Sequence, residues 1–391
     1  MKKTLMCVLF FVLFSLNSFS SLPFERSLNT LKIGSFNIQV FGRSKMQLPP
    51  TTGKISAKVL KKWKKRKHVV PTLIKIVKRY DVLLIQEIRE KTIPKELKPH
   101  YQTAIKTLLN EVNQDLPRGK RYLMKIGERL GRRSGNTKEQ YAYFYREDKL
   151  EVIEDVQYKN VFSKTTFARP PYVVRFRSLR NKNFDFALIG LHSEPEKAFE
   201  EVKELSDVFD YVKELWGEED TLILGDLNSS CEYIENQSVS DLEDLLNDHP
   251  ERYDLEIFRS YTHDELRVMF PKYKYQWNPL AGPFNWHISN YVKTTVGTVT
   301  HCAYDRLIST GDVTDKVVHG SAKAFHFDTK FFPKESKLIR QFIRRDRKRL
   351  VAKKKNKTLK TYKKTKAERI AVQKMRDISD HYPVELVLRV R

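Results

Sequence analysis

Along this chain, apolar runs of strand length repeatedly stop at a polar residue. TLILGDLN (221–228) runs from apolar and β-branched positions into Gly225, Asp226 and Asn228, and DVLLIQE (81–87) ends in Glu87. LKIGSFNIQVF (31–41) alternates apolar with small or polar residues and carries Asn37, while FDFALIGLHSEP (184–195) is apolar up to His192. CAYDRLI (302–308) holds Asp305, and ISDHYPVELVLRV (378–390) places Asp380 and His381 before its last alternating run. Each pattern predicts a strand, because a strand shows a period of two or, if buried on both faces, a short continuous apolar run. Between strands, Phe199, Val202, Leu205, Phe209, Val212 and Trp216 recur at helical spacing and predict a helix over 197–216.

Asp, Asn and Gly are ordinary turn residues, so any one of these polar endings reads as a satisfied group where a strand leaves the core. The recurrence raises a second reading. Strands that share one sheet, or two packed sheets, bring their last side chains to a common edge. Asn37, Glu87, His192, Asp226, Asn228, Asp305, Asp380 and His381 would then surround one cleft. Carboxylates, amides and imidazoles together suit a magnesium-assisted hydrolase, since hard cations take oxygen ligands and magnesium binds through one or two carboxylates plus substrate phosphate.

The 391 residues include 40% hydrophobic positions, enough for a large core, and carry a formal net charge of +25. No internal repeat is visible. The excess charge is concentrated in two segments, 45–68, containing KVLKKWKKRKH, and 337–369, with sixteen Lys and Arg against two acidic residues. Leu338, Phe342 and Ile343 fall at helical spacing in the second and predict a basic amphipathic helix. Both segments read as insertions that bind a polyanion, nucleic acid first, against the plainer reading of solvated surface or binding to an anionic membrane. The aromatic-rich stretch 235–290 carries no readable chemistry and reads as core or loop.

At the N-terminus, Lys2 and Lys3 precede an apolar run from Leu5 to Leu16 and then small residues, with Ser18 and Ser20 before a cleavage point after Ser20. This is the pattern of a signal peptide over 1–20 rather than of a membrane span, and it predicts a secreted protein, extracellular or periplasmic. Cys7 lies in that segment, which leaves Cys231 and Cys302. Two cysteines in an exported chain predict one disulfide, with two buried free thiols as the alternative.

The pieces LKIGSFNIQVFG, YDVLLIQEIRE, TKEQYAYFYR, FARPPYVVRF, LHSEP, WGEEDTLILGDLNSSCEYI, THCAYDRLI and ISDHYPVELVL, in this order, resemble secreted deoxyribonuclease I of the endonuclease/exonuclease/phosphatase superfamily. The resemblance runs from about Leu31 to the C-terminus. It implies an α/β fold, a four-layer α/β/β/α sandwich of two mostly antiparallel sheets, as a single nuclease domain over 21–391. It also implies a metal-dependent endonuclease that hydrolyses DNA with little sequence specificity and leaves 5′-phosphate ends. Magnesium is the implied cofactor, with manganese as a substitute; the implied partner is double-stranded DNA, met by a monomer through its phosphates.

By the same resemblance, Glu87 is the principal metal ligand, with Asn37 and Asp380 near it. His381 is the base and His192 the acid, oriented by Asp305 and Glu139 respectively, since a carboxylate behind an imidazole fixes its tautomer. Asp226 and Asn228 hold water, metal or phosphoryl oxygen. Arg89 and Arg169, with Tyr304 and Thr300, contact DNA. The chain departs from the family at Thr137, where a stacking tyrosine is common, and at Thr294 and Thr165, where the family's structural calcium sites carry aspartates. Weak or absent structural calcium is therefore expected, because losing a carboxylate removes the charge that holds the ion. A related phosphodiesterase acting on sphingomyelin or phosphoinositide, a genotoxin-type nuclease, and a non-enzymatic polyanion binder are the alternatives.

Overall fold

The computed structural model describes residues 29–49, 55–90, 103–131, 138–159, 167–230, 233, 280, 283–289, 292–297, 302–354 and 364–390. Two mixed sheets of six strands form its centre. In the first, β1 (Thr30–Phe41), β2 (Val82–Ile88), β3 (Tyr122–Ile126), β4 (Gln140–Arg146), β11 (Lys323–Ala324) and β12 (Val384–Arg389) lie in the order β11-β12-β1-β2-β4-β3. In the second, β5 (Leu150–Gln157), β6 (Tyr172–Ser178), β7 (Asp185–His192), β8 (Thr221–Asp226), β9 (Asn285–Trp286) and β10 (Asp305–Ser309) lie in the order β5-β6-β7-β8-β10-β9. Within each sheet one central pair is parallel, β1 with β2 and β7 with β8. Those strands therefore deliver their C-terminal residues, Asn37 beside Glu87 and His192 beside Asp226, to the same edge.

The period of two decides which side chains meet where. Val82 and Leu84 of β2 face the second sheet, joining Tyr143, Phe176, Leu188, Leu224 and Leu307 in the core between the sheets. Leu83 and Ile85 face outward into a layer of helices. That layer contains α2 (Val69–Val77), α3 (Ala104–Asn113), α7 (Phe327–Phe331), α8 (Pro333–Lys354) and α9 (Lys366–Arg376). The second sheet is covered on its outer face by α4 (Ala198–Lys203) and α5 (Leu205–Trp216). Among the described residues the remaining α-helices are the exposed α1 (Ala57–Lys65) and the short α6 (Gly311–Lys316). Helices on both outer faces of two packed sheets make the α/β/β/α arrangement that the family resemblance implies.

Three expectations change in detail. The helix predicted over 197–216 is two, α4 and α5, joined at Glu204, where Asp207 N bonds Glu204 O and tightens the turn. Gly217 ends α5 with φ +62. The basic segment 337–369 is not a simple surface addition. Ile339 of α8 is buried with Phe325 and Val372 in the outer core, Phe342 is buried too, and Thr365 with Glu368 forms a capping box that starts α9. In 45–68, Lys45 and Met46 are buried, whereas α1 buries no residue. Residues 1–20, Cys231, most of 235–290, Thr300 and the positions Thr137 and Thr165 lie outside the described residues.

Candidate active site

The strand ends do gather at one edge, and they are bent to do so. β1 loses register with β2 between Asn37 and Phe41, and Gln39 and Val40 take φ +42 and +51. β2 loses register with β4 between Ile85 and Ile88, and Glu87 sits at φ +56. Asn228, just past β8, is at φ +48. L-residues seldom adopt this region outside sites where the surroundings enforce it. Gly225 answers a tighter demand. A Cβ there would lie 1.8 Å from the Leu191 carbonyl oxygen on the parallel neighbour β7, so only glycine lets β8 approach and present Asp226.

Asn37 is the hub of the first sheet's contribution. Its Nδ2 donates to Glu87 Oε1 at 3.0 Å and to Asp226 Oδ2 at 2.9 Å, and its Oδ1 accepts from the Gln39 N–H at 2.9 Å. Glu87 Oε2 accepts from the Val40 N–H at 2.8 Å and pairs with Arg89 at 3.1 Å. Gln39 Nε2 donates to Asp380 Oδ2 at 2.6 Å.

Two carboxylate–imidazole pairs face one another across Asp226. His192 Nδ1 lies 2.8 Å from Glu139 Oε2, and His381 Nδ1 lies 2.8 Å from Asp305 Oδ2. Each ring then turns its other nitrogen toward the same oxygen, Asp226 Oδ2, at 3.7 Å from His192 Nε2 and 3.5 Å from His381 Nε2. The sum of those two distances bounds the separation of the Nε2 atoms, so a single tetrahedral group can touch both. Glu139, Asp226 and Asp305 are almost fully buried, and both imidazoles are buried.

Charge follows from this packing. Burial pushes Glu139 toward its neutral form, but His192, Arg169 and Arg89 outweigh it and bring its pKa down to about 2. Burial also opposes ionisation of Asp226, and the His381 and His192 imidazoles with the Asn37 and Asn228 N–H donors hold its pKa below the usual value all the same. Asp305 goes the other way, up to about 6, because burial and the nearby Asp226 charge exceed the pull of His381. Burial disfavours the imidazolium of His381, yet Asp305, Asp226 and Asp380 together raise its pKa well above the ordinary histidine range. The Asp305–His381 pair thus retains a proton under conditions where a free imidazole has lost it.

The two arginines expected to contact DNA are committed within the protein. Arg169 is one-eighth exposed, and its Nε and NH2 donate to the His192 and Ser193 carbonyls at 2.9 and 2.8 Å. Arg89 reaches Glu139 through Nε at 3.0 Å and NH2 at 2.7 Å, with side-chain exposure of 29%. Both brace Glu139; Arg89 is the more open of the two. The Tyr304 ring lies 6.2 Å from the His381 ring. Cys302 is buried.

The endonuclease/exonuclease/phosphatase family matches residues 34–347. The chain belongs to the endonuclease/exonuclease/phosphatase family. Among its curated relatives, Deoxyribonuclease-1 of Rattus norvegicus is 29% identical over 364 residues, covering 92% of each chain. Deoxyribonuclease-1 of Oryctolagus cuniculus is 31% identical over 306 residues, covering 77% of this chain and 85% of the relative. Deoxyribonuclease-1 of Homo sapiens is 29% identical over 92% of this chain. The protein is thus a deoxyribonuclease I-like member of this family of hydrolases.

Family enzymes use a divalent metal, and the site offers donors for one. Asp380 Oδ1 and Asp305 Oδ1 are buried carboxylate oxygens that accept no hydrogen bond. Buried anionic oxygens that accept no hydrogen bond suit a hard cation. Asp226, Asp305 and His381 also bring ligand atoms within 4.8 Å of one another. That trio is already closed by the His381–Asp305 bond, so an ion there would displace the contact that orients the ring. Glu87 and Asp380 lack that conflict.

Several supporting residues escaped the sequence reading. Gln86, fully buried, ties the sheets together directly below the site: its Nε2 donates to Leu191 O at 2.6 Å and its Oε1 accepts from the Asp226 N–H at 3.1 Å. Tyr141 OH accepts from the His192 N–H at 2.9 Å. Ser379 Oγ donates to Asn37 O at 2.6 Å and accepts from the His381 N–H at 3.0 Å. Glu201 accepts from the Ala168 and Glu194 N–H groups at 2.8 and 3.0 Å, and so fastens the segments that carry Arg169 and His192. Lys45 Nζ donates to three carbonyls, those of Ile38, Gln39 and Ile378. Gln86 carries a signal in the sequence, a polar residue inside the apolar run LLIQE.

Proposed function

We propose that the protein is a secreted, metal-dependent endonuclease that hydrolyses DNA phosphodiester bonds with little sequence specificity and leaves 5′-phosphate ends. The observation that carries this reading is the opposed pair of carboxylate-backed imidazoles, His192–Glu139 and His381–Asp305, with both Nε2 atoms turned to Asp226. Phosphodiester hydrolysis needs a base for water and an acid for the leaving alkoxide, and this pair supplies both. His381 Nε2 accepts the proton of the attacking water, and His192 Nε2 delivers a proton to the leaving oxygen. Glu139 and Asp305 keep each Nδ1 protonated, so that Nε2 faces the substrate. Asp226 and Asn228 position the water and the phosphoryl oxygens, and Arg89, Tyr304 and Thr300 steady the flanking backbone, while Arg169 holds the His192 and Ser193 carbonyls in place.

A divalent cation, magnesium or manganese, held by Glu87 and Asp380, with Asn37 bracing Glu87 and Gln39 bracing Asp380, would supply positive charge that offsets the phosphoryl oxygens and favours release of the His381 proton. Relatives named Deoxyribonuclease-1 support DNA as the substrate, and the N-terminal pattern supports export. No helix among the described residues is long and apolar enough to cross a membrane. Export also supports a disulfide between Cys231 and Cys302, which non-reducing peptide mapping would detect.

The test is to incubate purified protein and magnesium with supercoiled plasmid, and separately with sphingomyelin and phosphoinositide. The reading predicts nicked and linear DNA whose ends a 5′-phosphate-dependent exonuclease accepts. Lipid turnover without DNA cleavage would overturn it.

A further inference from the structure

The exposed helix α1 takes no part in the site described above, yet it is fastened to it. Arg66, at its C-terminal end, is buried and reaches Asp377 twice, Nε to Oδ1 at 3.2 Å and NH2 to the carbonyl at 3.0 Å. Next to it, His68 Nε2 meets the Lys374 carbonyl at 2.8 Å, and Lys45 Nζ donates to the Ile378 carbonyl at 2.9 Å. Asp377 caps α9 and precedes Asp380 by three residues, at most roughly 11 Å of chain. The C-terminal ends of α1 and α9 therefore meet at the turn that delivers Asp380 and His381.

Both helices point their bare charge outward. α1 carries Lys58, Lys61, Lys62, Lys64 and Lys65, all exposed, with no acidic residue, and among the described residues none of the five has a carboxylate partner. α9 exposes Lys366, Arg369 and Arg376 on one side. A helix C-terminus welcomes Lys62, Lys64 and Lys65 through its dipole, but the same dipole disfavours Lys58 in the first turn. Local helix stability thus does not account for the whole row.

We propose that α1 and the outer face of α9 form a phosphate-contact ridge, continuous with the active site, that grips the DNA duplex several nucleotides from the bond being cut. This rests on the nuclease reading and deepens it. Nine residues make a helix about 13 Å long, against which a duplex presents roughly four phosphates per strand. Val59 and Leu60 are 37% and 45% exposed on the same helix, a pattern that an anionic bilayer also fits. The tether to the catalytic turn favours DNA, because it aims the ridge along the path of a strand entering the site.

The experiment replaces Lys58, Lys61, Lys62 and Lys65 with alanine in the full chain. No residue of α1 is buried, so folding should survive; α8, by contrast, packs into the core and cannot be cut away cleanly. Binding to a 20-base-pair duplex is measured by fluorescence anisotropy in EDTA from 50 to 200 mM salt, and turnover of bis(4-nitrophenyl) phosphate is measured with magnesium. The ridge predicts that the slope of log K against log salt becomes shallower by about three to four, roughly a hundredfold less affinity lost across that range. Turnover of the small ester should stay within twofold. An unchanged slope overturns the ridge, as does a variant whose only loss is binding to phosphatidylserine vesicles. A wild type that leaves plasmid intact overturns the nuclease reading itself, whereas a cutting wild type with an unchanged slope overturns the ridge alone.

Discussion

Replacing Glu139 by Gln would separate the charge of the His192 pair from its shape. In the native site Oε2 faces His192 Nδ1 at 2.8 Å, while Oε1 faces Arg89 and Arg169 at 2.7 and 3.5 Å. The glutamine oxygen will stay on the two arginines, which can only donate, and this turns its NH2 toward His192 Nδ1. That nitrogen must then accept, so the doubly protonated ring loses its partner and the wrong tautomer is favoured. The pKa of Glu139, about 2 against 4.5 for an unperturbed glutamate, corresponds to roughly 3 kcal/mol of interaction with its surroundings. Because the folded pKa is depressed, that contribution is fully present above pH 4.5 and is lost as pH falls toward 2. The variant should therefore be less stable than wild type by a few kcal/mol at pH 7, with the gap closing in acid. Its kcat on plasmid should fall by up to about four orders of magnitude, the loss seen when the carboxylate behind a catalytic histidine is neutralised. Urea unfolding at pH 7 and pH 3, with plasmid cleavage at pH 7, gives both numbers. A kcat within threefold of wild type, or a stability gap independent of pH, would refute the assignment of Glu139.

Gly225→Ala should lose most soluble, cooperatively folding protein, because a Cβ 1.8 Å from a backbone carbonyl cannot be relieved by a side-chain rotation; a well-folded, active variant would contradict the packing of β7 on β8. Burial pushes Glu201 up to about 7, so the folded state holds its proton more tightly than the unfolded chain and stability from this group falls as pH rises from 4.5 to 7. Glu201→Gln should remove roughly 3 kcal/mol of that pH dependence in urea titrations at pH 5 and 8, and should slow cleavage by loosening the Ala168 and Glu194 anchors. Lys45→Met should cost about 3 kcal/mol or more in urea unfolding and depress cleavage, since it leaves three buried carbonyls without their donor. EDTA should abolish cleavage and magnesium or manganese restore it, whereas calcium against EGTA should barely move the melting temperature. Thr294, at one of the substituted calcium positions, spends its hydroxyl on the Tyr304 and Asp305 N–H groups at 3.0 and 3.2 Å.

How much of this was legible depended on the kind of signal. Strands announce themselves through a period of two, and the polar residue that breaks the period marks the sheet edge. That is why Asn37, Glu87, His192 and Asp226 could be listed before any contact was known. Glu139 needed the family resemblance, since it precedes its strand rather than ending it. The supports were hidden for a physical reason. Gln86, Ser379 and Glu201 act through hydrogen bonds to backbone groups far away in sequence, and no local pattern encodes a partner 140 residues distant, as between Gln86 and Asp226. The commitment of Arg169 to carbonyls was invisible for the same reason. The split at Glu204 escaped because its apolar spacing continues unbroken across the turn. In 337–369 the spacing of Leu338, Phe342 and Ile343 pointed to a basic amphipathic helix, but the dominance of charge in its composition hid that Ile339 and Phe342 are buried and make α8 part of the fold.

The most direct measurement is the rate of plasmid cleavage with magnesium by His192→Ala, by His381→Ala and by the double variant. Residues that act as a unit on one phosphate are grossly non-additive. Each single change should cost at least about a thousandfold and the double no more than about tenfold beyond the worse single. A single variant within tenfold of wild type, or a double whose loss is the product of the two, would mean that the two imidazoles do not serve the same bond.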